Sequence, residues 1–322
     1  MIKVAVFTSG GDAPGMNAAI RAVTRTAIHQ GHAVFGFFEG YKGIINSLSE
    51  ELSLRSVANI IHRGGTVLKT SRCEEFRTKE GRAKAYQNLI KEDIKCLIGL
   101  GGDGTFLGLE IFEKEYPDIQ VIGAPCTIDN DYMYSENTIG YATAIETAVE
   151  AIDRIRDTAS SHQRTFVVEV MGRKSANLAY EVAISAGAEC VVDLSEKGSL
   201  EKSIEKVKRS IKKGKLSSLI IALEKEGEES SAAATIKRTI IKELEIDCKS
   251  VVLGHIQRGG SPLAQDRSLA SKMGYSAASQ IGKSSGIVVQ ANGVVNFKKF
   301  SELESVMLRS EDSVLILETL AN

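Results

Sequence analysis

Nine short runs along the chain are apolar at successive positions, where a strand with one wet face would alternate. They are KVAVF (3–7), AVFGFF (33–38), KCLIGL (95–100), QVIGA (120–124), TFVVEV (165–170), CVVDL (190–194), SLIIAL (218–223), SVVLG (250–254) and GIVVQ (286–290). A strand that is apolar on both sides must be covered on both sides. Amphipathic helical windows fill the intervals, and strands interleaved with helices build parallel sheets with helices packed on each face. The expected class is α/β, with mostly parallel sheets covered by helices on both faces. With 322 residues the chain exceeds one small core, so two lobes are expected.

Charge excludes some partners. Forty basic and forty-one acidic residues leave a formal net charge of -1, so no global field draws the protein to nucleic acid or an anionic membrane. Any phosphate must be gripped locally. The opening MIKVAVFTSGG lacks the charged region, long apolar region and cleavage site of a signal peptide, and no apolar run approaches a membrane span. Cys73, Cys96, Cys126, Cys190 and Cys248 are scattered and odd in number, against both a disulfide framework and a zinc site. A cytoplasmic location is expected.

Open parallel sheets bind ligands beyond the carboxyl ends of their strands, and three Gly- and Asp-rich loops stand there. TSGGDAPGMNAAIR (8–21) joins a strand to a helix through Gly10, Gly11 and Gly15; it reads as an anion-binding loop or as a plain tight turn. IGLGGDGTF (98–106) combines exposed amides with Asp103, a carboxylate suited to magnesium, which takes few protein oxygens. GAPCTIDNDY (123–132) places Thr127, Asp129 and Asp131 on the same edge, as an Asp/Asn turn or as acids beside a metal and phosphates, one of them left to act as a base. Downstream, Arg164, Arg173, His255 and Arg258 at strand ends and Gly loops could cradle a second phosphate.

The set SGGDAPGMNAAIR, GGDGT, TIDND, SSHQR, VMGR and GHIQRGGSP, in that order, resembles the bacterial ATP-dependent 6-phosphofructokinases over essentially the whole chain. The resemblance implies transfer of the γ-phosphoryl of magnesium-bound ATP to the 1-hydroxyl of fructose 6-phosphate, a glycolytic step. It implies that Asp129 is the general base, that Asp103 is the magnesium carboxylate, and that Thr127 and Arg173 contact the transferring phosphoryl. Gly11, Arg72, Cys73, Gly102, Asp103, Gly104 and Thr105 fall at nucleotide positions. Thr127, Asp129, Met171, Gly172, Arg173, Glu224, His255 and Arg258 fall at sugar positions, and Arg164 with Lys249 at the pair reaching the 6-phosphate from a neighbouring subunit, which implies a homotetramer. An effector site for ADP or phosphoenolpyruvate is implied at Arg21, Arg25, Arg156, Gly187, Glu189, Lys213 and Lys215. The implied lobes are 1–138, with a return of the C-terminal segment near 256–305, for ATP and magnesium, and 139–255 for the sugar phosphate.

Some positions depart from the family. Cys126 stands where ATP users usually have Gly and pyrophosphate users Lys, while Gly104 stands where pyrophosphate users usually have Asp, so ATP is the expected donor. Lys249 replaces an Arg, and Leu54 stands where some members carry an effector-site Arg. The rival readings are a pyrophosphate-dependent variant, a kinase for NAD or lipid built on the same GGDGT loop, and a non-catalytic regulatory paralogue. TIDND and GHIQRGGSP argue against the second, and retention of both Asp103 and Asp129 against the third.

Overall fold

The computed structural model describes residues 1–173, 175–225, 231–303 and 310–321. Its strands are β1 (Lys3–Thr8), β2 (Ala33–Phe37), β3 (Ser49–Leu52), β4 (Ile94–Gly101), β5 (Gln120–Pro125), β6 (Thr165–Val170), β7 (Cys190–Val192), β8 (Leu219–Leu223), β9 (Cys248–Val252), β10 (Gly286–Ala291) and β11 (Val294–Lys298). The α-helices are α1 (Met16–His29), α2 (Tyr41–Ile45), α3 (Lys79–Lys91), α4 (Asp103–Glu115), α5 (Tyr141–His162), α6 (Asn177–Ser185), α7 (Ser199–Lys212), α8 (Ala232–Leu244), α9 (Ala264–Ala278) and α10 (Ser310–Leu320). The described residues divide into two compact units, Met1–Thr143 with Arg258–Met307 and Ala144–Gln257 with Leu308–Asn322.

In the first unit a seven-stranded sheet runs β11-β10-β5-β4-β1-β2-β3. The pairs β2–β1, β1–β4, β4–β5 and β5–β10 are parallel. Val4, Ala5, Val6 and Phe7 of β1 are all fully buried, as a strand covered on both faces requires. Ala5 and Phe7 join Phe37, Ile44, Leu89, Leu97, Phe106 and Phe112 in a core against α2, α3 and α4. Burial of one such aromatic side chain contributes about 1.5–3 kcal/mol.

In the second unit β7-β8-β6-β9 form a parallel sheet. Its core joins Val167, Ile220 and Ala222 to Val207, Ile236 and Ile240 from α7 and α8. The class is α/β with mostly parallel sheets flanked by helices, as the runs predict. Among the described residues no helix is long and apolar enough to cross a membrane.

All nine apolar runs become strands, the eighth in chain order lying two residues earlier than its run, at Cys248–Val252. Two strands escape the sequence reading: β3 (SEEL) and β11 (VVNFK). Both are antiparallel and close the two edges of the large sheet, where polar and charged residues belong. An edge strand lacks the continuous apolar signature by which its buried neighbours are recognised.

Candidate active site

Strand order places the first group of site residues. From β1 the chain moves outward to β2 and β3, then returns to the other flank for β4 and β5, so the switch point lies between β1 and β4. The loops after β1, β4 and β5 meet at that carboxyl edge. Ser9 N–H donates to Leu100 O (3.0 Å) and Cys126 N–H to Gly101 O (2.8 Å). A Cβ on Gly101 would lie 2.5 Å from Ser9 O and 2.4 Å from Thr105 Oγ1, so only glycine permits this closeness. Gly11 serves a second close approach, because a Cβ there would stand 3.3 Å from the Arg258 guanidinium carbon.

Arg72 and the half-buried Cys73 belong to a segment stitched to the same edge. Thr70 Oγ1 donates to Gly10 O at 2.8 Å, and buried Asn17 donates to Arg63 O and Gly64 O while accepting Val67 N–H. Asn17 and Thr70 were not singled out from the sequence; a buried amide inside an apolar helix face was the available signal. Gly102 precedes α4, and Asp103, Gly104 and Thr105 form its first turn, with Asp103 and Gly104 exposed. The positive end of the helix dipole lies at this turn, where Thr105 N–H donates to Gly102 O at 2.9 Å. Tyr41 Oη donates to Thr105 O at 2.6 Å, fixing that turn from below.

Within TIDND the turn reading falls on a single residue. Asn130, at φ 45°, is the turn residue: its Nδ2 donates to Glu136 O (3.0 Å) and its Oδ1 accepts Thr138 N–H (2.9 Å). Thr138 Oγ1 also donates to Thr127 O at 2.6 Å. Asp129 is only 5% exposed, and its N–H donates to Thr127 Oγ1 at 3.2 Å. Cys126 is buried, its thiol pushed far up by that burial. Behind it Asp266 accepts N–H bonds from Gly140 (2.9 Å) and Thr143 (2.8 Å), capping the start of α5, and burial raises its carboxyl.

In the second unit, Met171, Gly172 and Arg173 follow β6, Glu224 follows β8 and His255 follows β9, all at carboxyl ends. Glu224 Oε1 accepts Gly172 N–H (3.4 Å) and Arg173 N–H (3.3 Å), holding Arg173 at φ 51°. Met171 N–H donates to Gln257 Oε1 at 2.9 Å. Arg164 and Lys249 are not brought to this group. Arg164 precedes β6 and Lys249 pairs with Phe166 near the strand starts, roughly 20 Å along a six-residue strand from Met171. There Arg164 Nε lies 2.6 Å and Lys249 Nζ 3.1 Å from the two carboxylate oxygens of Asp247.

Four of the effector positions lie together within the second unit. Arg156 donates to Ala186 O, and Lys215 pairs with Glu189, whose carboxylate also accepts Leu219 N–H. A cavity of about 40 Å³ lies among Arg156, Phe166, Glu189, Lys215 and Ser218. Gly187, at φ 60°, adjoins it, with Arg156 3.8 Å from where a Cβ would stand. Lys213 is exposed at the end of α7, and Arg21 and Arg25 sit one turn apart on α1 in the first unit.

Among the described residues no three His, Cys, Asp or Glu gather at one point. Magnesium does not demand that: one or two carboxylates, its own waters and phosphate oxygens complete its shell. Exposed Asp103, beside Gly104 with nothing within 4 Å of where its Cβ would stand, fits that sparse donor set.

Comparison with known proteins bears on the whole chain. The profile of the family described as Phosphofructokinase matches residues 3–281. The chain is 46% identical over 301 residues to an ATP-dependent 6-phosphofructokinase of Staphylococcus carnosus, covering 92% of each. It is 46% identical over 304 residues to ATP-dependent 6-phosphofructokinase 1 of Thermus thermophilus, covering 94% of each. Its structure is similar to Pichia pastoris phosphofructokinase, with a TM-score of 0.86 and 33% identity over 94% of this chain and 35% of that longer one. A pyrophosphate-dependent phosphofructokinase of Marinobacter aquaeolei, covered to 92% of its length and matching all of this chain, shares the fold at a TM-score of 0.80 and 19% identity.

Proposed function

The chain belongs to the phosphofructokinase family, and from that premise we propose that it transfers the γ-phosphoryl of ATP to the 1-hydroxyl of fructose 6-phosphate, giving fructose 1,6-bisphosphate and ADP. One observation carries the reading. The loops after β4 and β5 carry an exposed carboxylate, Asp103, and a buried one, Asp129, at the switch point where the loop after β1 brings Gly11 against the Arg258 guanidinium.

Phosphoryl transfer asks chiefly for alignment and neutralised charge. Asp129 takes the proton of the 1-hydroxyl, and the Asn130–Thr138 clamp fixes the loop that carries it. Gly102, Gly104 and Thr105, at the start of α4, lie against the nucleotide phosphates, with Gly11, Arg72 and Cys73 beside the nucleotide. Thr127 and Arg173 contact the transferring group. Met171, Gly172, Glu224, His255 and Arg258 hold the sugar. Asp103 would hold magnesium, which when bound supplies positive charge to the β- and γ-phosphate oxygens.

The donor is ATP. Gly104 leaves open space that an Asp would fill with negative charge, and Cys126 is turned into the core, where it offers phosphate nothing. Arg164 and Lys249 bind the 6-phosphate in a neighbouring subunit's site, because their own strands carry them to the opposite sheet edge from Met171 and Glu224. As the family resemblance implies, the enzyme works as a homotetramer in the cytoplasm. ADP or phosphoenolpyruvate acts at Arg21, Arg25, Arg156, Gly187, Glu189, Lys213 and Lys215.

The test is an assay of purified protein for fructose 1,6-bisphosphate with magnesium and either ATP or pyrophosphate. Product formed faster with ATP is expected. Faster turnover with pyrophosphate would reverse the donor assignment, and no product with either would leave a regulatory protein.

A further inference from the structure

The two cations assigned to the 6-phosphate share one carboxylate. Asp247 gives Oδ2 to Arg164 and Oδ1 to Lys249, so each of its oxygens serves one cation. Backbone geometry fixes the trio. Asp247, just before β9, and Lys249, within it, flank the fully buried Cys248, so both point away from the side that Cys248 buries. Thr165 N–H donates to Asp247 O at 3.2 Å, which sets Arg164 opposite. In the single subunit the three side chains are 37%, 46% and 45% exposed, so the pairs lie at its surface, open to exchange with an incoming anion. Both cations also hold the Asp247 carboxyl below its ordinary range, Lys249 most strongly.

We propose that Asp247 is a built-in competitor for the sugar phosphate: its carboxylate occupies Arg164 and Lys249 until a phosphate dianion displaces it, which lowers affinity and favours dianions. A carboxylate presents two oxygens and one negative charge. A phosphate dianion presents three oxygens and two charges, so it alone neutralises both cations. Without Asp247 the cations would repel each other, yet stand unmasked toward any anion. This inference rests on the assignment of Arg164 and Lys249 to the 6-phosphate.

Asp247→Asn keeps the shape and the backbone bond from Thr165 while removing the charge. The KM for fructose 6-phosphate is expected to fall about 5-fold, the scale of releasing exposed ion pairs, with kcat unchanged because the 6-phosphate is remote from the reacting hydroxyl. Inhibition by inorganic phosphate competing with the sugar should strengthen in parallel. The KM should also become more salt-sensitive, as the trio's net charge rises from one positive to two. Lys249→Ala is titrated beside it. A raised KM in Lys249→Ala with a lowered one in Asp247→Asn supports the proposal. A raised KM in both would make Asp247 a mere spacer and overturn the competitor role, with the cation assignment intact; so would a raised KM in Lys249→Ala with no change in Asp247→Asn. An unchanged KM in Lys249→Ala would remove Lys249 from the phosphate and overturn both.

Discussion

Within TIDND, the residue that turns the chain stands next to the one proposed as the base. Asn130 accepts a left-handed φ of 45° and spends its amide on Glu136 and Thr138. Its neighbour Asp129, 5% exposed on the same clamped loop, is the base of the proposed reaction. A fixed base loses little entropy when substrate arrives. Asp129→Asn keeps the shape and cannot accept the proton, so kcat is expected to fall by at least roughly 10²-fold with little change in sugar KM. Steady-state assays with intact circular dichroism check this; near-wild-type kcat would assign the base elsewhere.

Secondary elements remote from substrate hold the loops in place. The β10–β11 hairpin meets the 130s loop through Glu136, whose carboxylate accepts N–H bonds from Asn292 (2.7 Å) and Gly293 (2.9 Å). Helix α4, which starts at Asp103, is tied to α3 by Arg82 and Glu115 in a two-point pair at 2.7 Å each, with Arg82 also donating to Phe76 O and Arg77 O. The hydrogen bond from Arg82 is the main reason the Glu115 carboxyl lies below its ordinary 4.5. A depressed carboxyl adds stability above its unfolded value and loses it as pH falls through the folded one. Glu115→Gln is therefore expected to cost about 1–2 kcal/mol at neutral pH, Arg82 being left near-buried without its charge partner. Thermal melts should show the gap from wild type closing below about pH 4. A gap independent of pH would mean that shape, not charge, joins α3 to α4.

At the scale of the molecule, a six-residue strand separates Arg164 and Lys249 from the carboxyl-edge residues of their own sheet. If the proposed site uses both ends, it must recruit a second copy, as a closed symmetric assembly would allow. Arg164→Ala and Asp129→Asn are each expected to be poor enzymes at low fructose 6-phosphate, one for lack of the phosphate cation and the other for lack of the base. Co-expressed and assembled together, they should recover low-KM activity that neither has alone, because one variant's Asp129 meets the other's Arg164. Activity no greater than the sum of the separate proteins would place Arg164 in its own subunit's site or outside any site.

The sequence alone determined the class, most of the strands and the glycine- and acid-rich loops at their ends, because burial on both faces and glycine beside acid are local patterns that leave a local trace. The edge strands β3 and β11 left none, since half their surface is wet and their partners are distant. Tertiary structure decided which residue of TIDND turns the chain, that Cys126 faces the core, and that Gly11 makes way for Arg258. It also decided that one carboxylate, Asp247, stands between two cations separated by eighty-five positions, 164 to 249. Spacing along the chain encodes such a meeting only through strand register, and register is set by the packing of the whole sheet.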